Sequence, residues 1–460
     1  SLLPQSIFRK NLQSRMKKDL QKFAGLENFH LFRCMIKTFN SNVTPFGGIH
    51  LVHEQLFAHN AIEFIDNQLG KRVKTIGYNY SDIILNRVYT ALCGGNATED
   101  VNYVKDNTLK HLKNIDTPSA DTILRGDVEL SVPCNYIKTP SEKANKINVN
   151  TRMNNFLVDS ALKFKQLDPF KKDMVYDFDH QFIAAEKCDA EYSYKNKKGY
   201  FPGVATISNI PVYIEGRNGN CNVKTAQLAT HKRALNALAS RGVKPDYARM
   251  DCGSYIKEVA DYFHEEGIQF SIRASNSEVL LSMAADTDNW KPCTVNFQDM
   301  EVNSFKYQFG NYEHRIVAYR MPNKTGQLSA FTNDAKNYLF IITNDWDISE
   351  KEAIIFYNKR GDSERVFDMQ NNDFNWDSMP HSFLEENTVY LIIMAVAHII
   401  YKYLLSIFSC LVEGLTKTSR LKKFIFRFVA TVAKFTRSGR RAVIHLATKN
   451  QKLIRLINSS

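Results

Sequence analysis

The alternation of extended runs and helical patterns after residue 172 is the strongest constraint on how this chain folds. Apolar extended runs predict strands, and apolar residues at helical spacing predict helices. In chain order, the predicted elements are strands Met174–Asp179, Tyr200–Ile207 and Pro211–Glu215, helix Asn222–Ser240, strand Tyr247–Asp251, helix Ser254–Glu266 and strand Ile268–Arg273. The order β-β-β-α-β-α-β indicates an α/β chain whose mixed sheet carries helices on both faces.

Different patterns flank this region. Residues 1–150 are predicted to be mainly helical, with amphipathic segments at Glu54–Ile65 and Ser81–Cys93. After residue 273, polar and apolar residues alternate as in antiparallel strands, at Thr294–Phe297, Ser304–Phe309, His314–Tyr319 and Asn337–Thr343. We therefore predict a helical N-terminal region (1–150), a core in two parts (151–273 and 346–412), a β-rich region between them (274–345) and a basic helical C-terminal region (413–460).

One N-terminal segment resembles the turn and helix start of a helix-turn-helix DNA reader. It runs from Thr117 to Arg125, and Ser119 is placed to cap the helix. A plain capped helix fits the same residues equally well.

A long apolar segment, Val389–Val412, has two interpretations. Its length would span a bilayer, and basic residues follow it. The side chains of His398 and Lys402 near its middle would be costly in lipid. A buried core helix that packs on the sheet is therefore the favoured interpretation, and we expect no membrane partner.

The positive charge is concentrated at the C-terminal end. Residues 401–460 contain 13 Lys or Arg and the single acid Glu413, which equals the net charge of +12 for the whole chain. Such a block favours contact with DNA phosphates, and we place Lys422, Lys423 and Arg427 there, on a helix with one packed and one charged face. A solubilising tail, an anionic-membrane patch or a dimer contact are the alternatives.

The eight cysteines are scattered and include no C-x-x-C pair. This pattern argues against a zinc ribbon and against a disulfide framework. A reducing cytoplasm is the compartment it favours.

Three acids stand in recognisable local settings. Asp177 lies inside the apolar strand Met174–Asp179, and Asp251 ends a later strand. Glu364 follows Tyr357 and Arg360 at i+7 and i+4, so the three are expected on one helix face. Carboxylates from separate elements are the hard oxygen ligands that two divalent ions need around a phosphodiester.

These residues resemble the DDE transposases of bacterial insertion sequences with the signature Y-(2)-R-(3)-E-(6)-K. Tyr357, Arg360 and Glu364 match the signature with correct spacing, whereas Asn371 stands where the lysine is expected. The resemblance covers roughly residues 45–440 and implies a ribonuclease-H-like catalytic core. The 113 residues from Asp251 to Glu364 would then hold the β-rich insertion of that family.

The resemblance also implies roles for residues. Asp177, Asp251 and Glu364 would be the catalytic acids and the ligands of two Mg²⁺ ions, with Mn²⁺ as a substitute. Asp179 is the rival first ligand, because residues i and i+2 of a strand point to the same side. Tyr357 and Arg360 would bind phosphates at the transposon end. The family can stack a flipped base on an aromatic residue of the insertion, for which the candidates are Tyr338, Phe340 and Trp346, although core packing explains each of them as well.

The predicted function is a transposase that binds double-stranded DNA at the ends of an insertion sequence, cuts it and transfers the strand. At least a dimer is implied, because two DNA ends are bridged. The expected location is the bacterial cytoplasm, in association with the nucleoid. A catalytically inactive DNA-binding protein derived from such an enzyme is the alternative, and Asn371 favours it.

Overall fold

The computed structural model describes residues 42–72, 77–138, 144–323, 334–439 and 441–458, together with 326, 328 and 332. Its helices are α1 Gly48–Ala58, α2 Ala61–Leu69, α3 Tyr80–Leu92, α4 Val101–Asn107, α5 Ala120–Leu130, α6 Thr151–Lys163, α7 Gln227–Ala239, α8 Lys257–Glu265, α9 Glu278–Ala285, α10 Glu350–Asn358, α11 Asp362–Phe374, α12 Leu384–Phe408, α13 Leu421–Phe424 and α14 Gln451–Asn458. Its strands are β1 Val43–Thr44, β2 Asn135–Lys138, β3 Ala144–Asn148, β4 Val175–His180, β5 Ile183–Ala184, β6 Glu191–Tyr192, β7 Lys198–Tyr200, β8 Gly203–Ile207, β9 Ile210–Arg217, β10 Tyr247–Met250, β11 Gln269–Ala274, β12 Lys291–Val295, β13 Gln298–Phe309, β14 Tyr312–Pro322, β15 Lys336–Thr343, β16 Ala433–Ser438 and β17 Arg441–Leu446.

A large mixed sheet organises these elements. Its strand order is β12-β13-β14-β15-β11-β10-β4-β8-β9-β3-β2. Strands β4, β10 and β11 run parallel to one another, and the remaining neighbours are antiparallel. The predicted order of core strands and helices in residues 172–273 agrees with the structure, with different bounds such as the start of α7 at Gln227. Three short strands, β5, β6 and β7, were not predicted, and they form a separate small sheet between β4 and β8.

The β-rich region extends the central sheet. The four strands β12–β15 add to one edge, where Ser271 of β11 pairs with Thr343 of β15. At the opposite edge, β3 pairs with β9. Residues 135–138 and 144–148, which we predicted as part of a helical region, therefore supply two strands to the sheet.

Helix α12 is the buried helix of the core. By length and composition it is the one described helix that could cross a membrane, yet 83% of its most apolar stretch is buried inside the protein. It packs against α5, α6 and β9. His398 is buried, and its Nδ1 lies 2.9 Å from Nε2 of Gln370. The buried-helix interpretation of this segment agrees with the packing, and Lys402 is only half-buried.

The segment that resembled a helix-turn-helix reader is a helix packed into the core. Helix α5 begins after Ser119, and its residues Ala120, Ile123 and Leu130 are buried. A Cβ added at Gly126 would lie 2.6 Å from the Ile83 side chain, so α5 approaches α3 closely. Ser119 occupies the N-cap position, but its side chain makes no capping hydrogen bond. The segment is an ordinary core helix, and a DNA-binding role for the N-terminal region stays a prediction. Residues 1–41 of that region lie outside the described residues.

The C-terminal region is only partly helical, which corrects our prediction. After α13 and the π-helical turn Ile425–Val429, strands β16 and β17 form a hairpin whose β16 pairs with β1. Strand β16 alternates exposed and buried positions in its first half, and Gly439 at the turn has φ +59°. This period of two belongs to a strand rather than a helix.

His398 makes the stability of the core depend on pH. Burial lowers the pKa of His398 to about 3, below the unfolded value of 6.5. The neutral imidazole therefore stabilises the fold above pH 6.5, and that contribution is lost as the pH falls from 6.5 towards 3. We expect His398→Gln to reduce the loss of unfolding free energy between pH 7 and pH 5 by up to about 1.4 kcal/mol per pH unit, measured by urea denaturation. The control is His445→Gln, the same substitution at an exposed position of β17.

Candidate active site

Two acids meet at the carboxyl ends of neighbouring parallel strands. Met250 of β10 pairs with Phe178 of β4, and the next residues along the two strands are Asp251 and Asp179. Asp251 has an extended backbone and ends β10 at a 3₁₀ turn, Cys252–Ser254. Its Oδ1 accepts a hydrogen bond of 3.0 Å from the Gly253 amide, so it also caps that turn. The pairing register thus brings together Asp251 and Asp179, rather than Asp251 and Asp177.

The two carboxylates repel each other in a partly buried position. Burial, and after it the negative charge of Asp179, raises the pKa of Asp251 to about 6. Burial also raises the pKa of Asp179, against the effect of Arg360. A pair of carboxylates in this state is stabilised by any cation placed between them.

Arg360 supplies positive charge to this pair. Its Nη1 donates a hydrogen bond of 2.7 Å to Oδ2 of Asp179, and its charge also lowers the pKa of Asp251. The hydroxyl of Ser363 lies 3.5 Å from the same Asp179 oxygen. The guanidinium is centred 5.9 Å from the ring of Tyr357, which is buried. Tyr357 and Arg360 therefore lie beside the two acids, and their role in binding phosphates stays a prediction.

Asp177 is engaged in a different interaction. Both of its oxygens accept hydrogen bonds of 2.7 Å from Arg249, the residue opposite it in the strand register. Arg249 in turn donates a bond of 3.0 Å to the carbonyl of Phe356, and its guanidinium lies over the Phe356 ring. The buried Asp177–Arg249 pair therefore ties β4 and β10 to the end of α10, one residue before Tyr357.

The helix that carries the signature is interrupted, which corrects the prediction of a single helix face. Tyr357 lies on α10, Arg360 in the 3₁₀ turn Lys359–Gly361, and Glu364 in the first turn of α11. A 3₁₀ turn advances by roughly 20° more per residue than an α-helix, so it rotates the following helix. Glu364 is exposed to solvent, whereas Tyr357 is buried.

Glu364 does not join the acid pair in this arrangement. Within the described ranges, no three His, Cys, Asp or Glu side chains converge on a common cation position. The donor chemistry of Asp179 and Asp251 nevertheless fits a divalent ion, because both are hard oxygen ligands and their mutual repulsion favours a bound cation. The part of Glu364 as the third ligand stays a prediction.

The remaining predicted residues are spread around the site and the tail. Asn371 is half-buried, and its Oδ1 is shielded from solvent without a hydrogen-bond partner. The basic residues Lys422, Lys423 and Arg427 are exposed, while Leu421, Phe424 and Phe428 beside them are buried, so the charged and packed faces agree with the expectation.

The candidate base-stacking aromatics differ in exposure. Tyr338 and Phe340 are buried in the sheet, whereas Trp346 is 45% exposed. Core packing therefore accounts for Tyr338 and Phe340.

Two residues of the site were missed from the sequence. Arg249 stands in the apolar run of β10, and Ser363 lies directly before Glu364. A buried strand that carries one arginine opposite an acidic strand is a pattern that could have identified Arg249. Ser363 has no comparable feature in the sequence.

A sequence model of the family described as transposase DDE domain group 1 matches residues 41–457. This chain belongs to that family. Transposase DDE domains generally use a divalent metal ion. Among solved structures, the chain is similar to a piggyBac transposase, in a cryo-EM structure of its synaptic complex with hairpin DNA, at 14% identity and a TM-score of 0.41, over 82% of this chain and 78% of that one. No curated protein sequence matches the chain.

Loss of Asp177 should destabilise this DDE domain by leaving Arg249 charged and buried. We expect Asp177→Ala to lower the unfolding free energy by about 3–5 kcal/mol, and Arg249→Met in the same chain to restore part of it, measured by urea denaturation. The exposed pair Lys306–Glu313, with a separation of 2.8 Å, is the control, and Glu313→Ala should cost less than about 1 kcal/mol. Equal losses at both pairs would show that the buried pair has no special structural role.

Proposed function

We propose that this chain is a DNA transposase whose catalytic pair is Asp179 and Asp251, with Glu364 as the third acid. The observation that carries this proposal is the in-register placement of the two acids at adjacent parallel strand ends, beside Arg360. Membership of the transposase DDE family supports the reaction class. We assign Asp177 a structural role instead of a metal-ligand role, because both of its carboxylate oxygens accept hydrogen bonds from Arg249.

The metal is proposed from the donor set. Asp179 and Asp251 would hold Mg²⁺, for which Mn²⁺ can substitute, and binding of a second ion would require Glu364 to join them. A bound divalent ion activates water or a 3′-hydroxyl as the nucleophile and neutralises charge on the phosphodiester. The chain itself positions the acids on rigid strand ends, which supports catalysis through orientation.

The strand order supports a ribonuclease-H-like core. The central five strands are arranged as β9-β8-β4-β10-β11, with β8 antiparallel to β4 and β10 parallel to it. We assign the chain to the Y-R-E-K class of bacterial insertion-sequence transposases on Tyr357, Arg360 and Glu364. The seven described cysteines are free, which supports action in a reducing cytoplasm.

The remaining basic residues are assigned to double-stranded DNA. Arg360 offers a forked donor for a phosphate of the transposon end once a cation neutralises Asp179. Lys422, Lys423 and Arg427 present positive charge on one face, and we infer that they contact DNA phosphates. Because a transposase joins two ends, we infer a homodimer or a larger assembly in the DNA complex.

A second candidate function is DNA binding without catalysis. Two observations favour it: Glu364 is exposed and forms no three-carboxylate group with the acid pair, and Asn371 stands in place of the signature lysine. Binding of the element ends without cleavage in Mg²⁺ or Mn²⁺ would support this candidate over the enzyme.

Cleavage of DNA that carries the inverted repeats flanking the gene tests the assignment. We expect Asp179→Asn and Asp251→Asn each to reduce Mg²⁺-dependent cleavage by at least about a hundredfold, because a lost ligand disables the metal site. Binding of the ends should remain, since it rests on basic residues elsewhere. Asp177→Asn keeps a hydrogen-bonding side chain beside Arg249 and should retain more activity than either variant.

Two comparisons make this test decisive. Loss of cleavage in Asp177→Asn together with near-normal cleavage in Asp179→Asn would reverse our choice of first ligand. Glu364→Gln should abolish cleavage, and Asp362→Asn, which alters the half-buried first residue of α11, should not. The opposite result would make Asp362 the third acid.

A further inference from the structure

A small basic and aromatic hairpin lies between β4, which carries Asp179, and β8. The hairpin comprises residues 191–200, with strands β6 and β7, and it belongs to a separate three-stranded sheet of order β5-β7-β6. Strand β5 begins four residues after Asp179, and Phe182 follows Asp179 by three residues, so their α-carbons are at most about 11 Å apart. The hairpin ends at Tyr200, three residues before Gly203, which pairs with His180 next to Asp179. The hairpin is therefore rooted at the end of the sheet that carries the acid pair.

Contacts at its base hold the hairpin in place. The amide of Glu191 donates a bond of 2.8 Å to Oδ1 of Asn218, and the Asn218 side chain donates one of 2.6 Å to the Asp189 carbonyl. The turn closes through a bond of 2.9 Å from the Ser193 amide to the Lys197 carbonyl. Gly199 lets the backbone approach closely, because a Cβ there would lie 2.1 Å from the Ile183 carbonyl oxygen.

The surface of the hairpin combines aromatic rings with positive charge. Tyr192 at the end of β6 is 62% exposed, and Tyr194 in the turn that follows is 74% exposed. The ammonium of Lys198 lies 5.6 Å from the Tyr192 ring, and that of Lys195 lies 5.7 Å from the Tyr194 ring. None of Lys195, Lys197 and Lys198 forms an ion pair with another described residue, and no acid occurs between Tyr192 and Gly203.

This combination matches the chemistry of single-stranded nucleic acid. Bases of an unpaired strand stack on aromatic side chains, and lysines along the path bind its phosphates. The bases of an intact duplex are already stacked on one another, so duplex DNA exposes much less base surface on which a tyrosine ring can stack. The hairpin places two exposed tyrosines next to three lysines, and the Lys195 ammonium lies 5.8 Å from the ring of Phe182, three residues after Asp179.

We propose that the hairpin 191–200 is a stacking platform for the unpaired DNA strand next to the phosphodiester that is cut. Tyr192 and Tyr194 stack on bases, and Lys195, Lys197 and Lys198 hold the phosphates. This proposal rests on the proposed transposase function, since cleavage is what frees a strand beside Asp179 and Asp251.

Binding measured without divalent ions tests the platform separately from catalysis. The probes are an oligo-dT of about 16 nucleotides, the upper site size of one single-strand-binding fold, and a blunt duplex of equal length. Fluorescence anisotropy measures the binding of each probe to the full chain. We expect the double variant Tyr192→Ala/Tyr194→Ala to bind oligo-dT at least about tenfold more weakly and the duplex within about twofold of the unaltered chain. The double variant Tyr192→Phe/Tyr194→Phe keeps both rings and should bind normally.

Charge is tested with the triple variant Lys195→Gln/Lys197→Gln/Lys198→Gln. Each lost phosphate contact lowers the slope of log affinity against log salt by about 0.7 for a single strand, so the slope should fall by up to about 2.

Tyr103→Ala is the matched control for the tyrosine variants, because Tyr103 is 68% exposed on α4, and it should leave both affinities unchanged.

Three results would overturn the proposal. Unchanged oligo-dT affinity in the double alanine variant would remove the stacking role, and an equal loss on both probes would reduce the hairpin to a general phosphate contact. A change of oligomeric state by light scattering, with DNA affinity intact, would show that the hairpin binds a second protomer. A chain that never cuts DNA yet passes the binding test would refute the proposed function and leave the platform standing.

Discussion

The parallel register between β4 and β10 is the constraint on which the rest of the site depends. The register of these two parallel strands pairs Asp177 with Arg249. Two residues further along each strand, it places Asp179 beside Asp251. The opposite charges of Asp177 and Arg249 attract each other, whereas the two carboxylates of Asp179 and Asp251 repel each other. The inner pair therefore fixes the two strands to each other, and the outer pair leaves an unfavourable concentration of negative charge at the end of the sheet.

The helical segment after β15 balances those charges. Arg249 holds the carbonyl of Phe356, and Arg360 bonds to Asp179, so one arginine from the sheet and one from the helix join the two elements. Neutralisation by Arg360 stabilises the site before any cation binds. In the proposed function, a divalent ion at this site would compete with this guanidinium, and the released arginine would be available for a phosphate.

Neighbouring strands and helices support the end of the sheet that carries the acids. The insertion strands continue the sheet beyond β11, and β3 and β2 continue it beyond β9, so the acids lie on central strands rather than at an exposed edge. Helix α12 packs against β9 and α6 and supplies much of the apolar core. Side chains on central strands are held more precisely than those on loops, which suits the positioning of a phosphodiester.

The sequence by itself determined the α/β class, the order of the core strands, the buried nature of the 384–408 helix and the presence of acids at two strand ends, because each follows from local periodicity and burial. Only the tertiary structure decided which acid of β4 stands beside Asp251, because that choice depends on a register between residues 72 positions apart. It also decided that the signature helix breaks at Lys359–Gly361 and that residues 433–446 form a hairpin. Those outcomes depend on partners distant in the chain, and a local pattern carries no information about them.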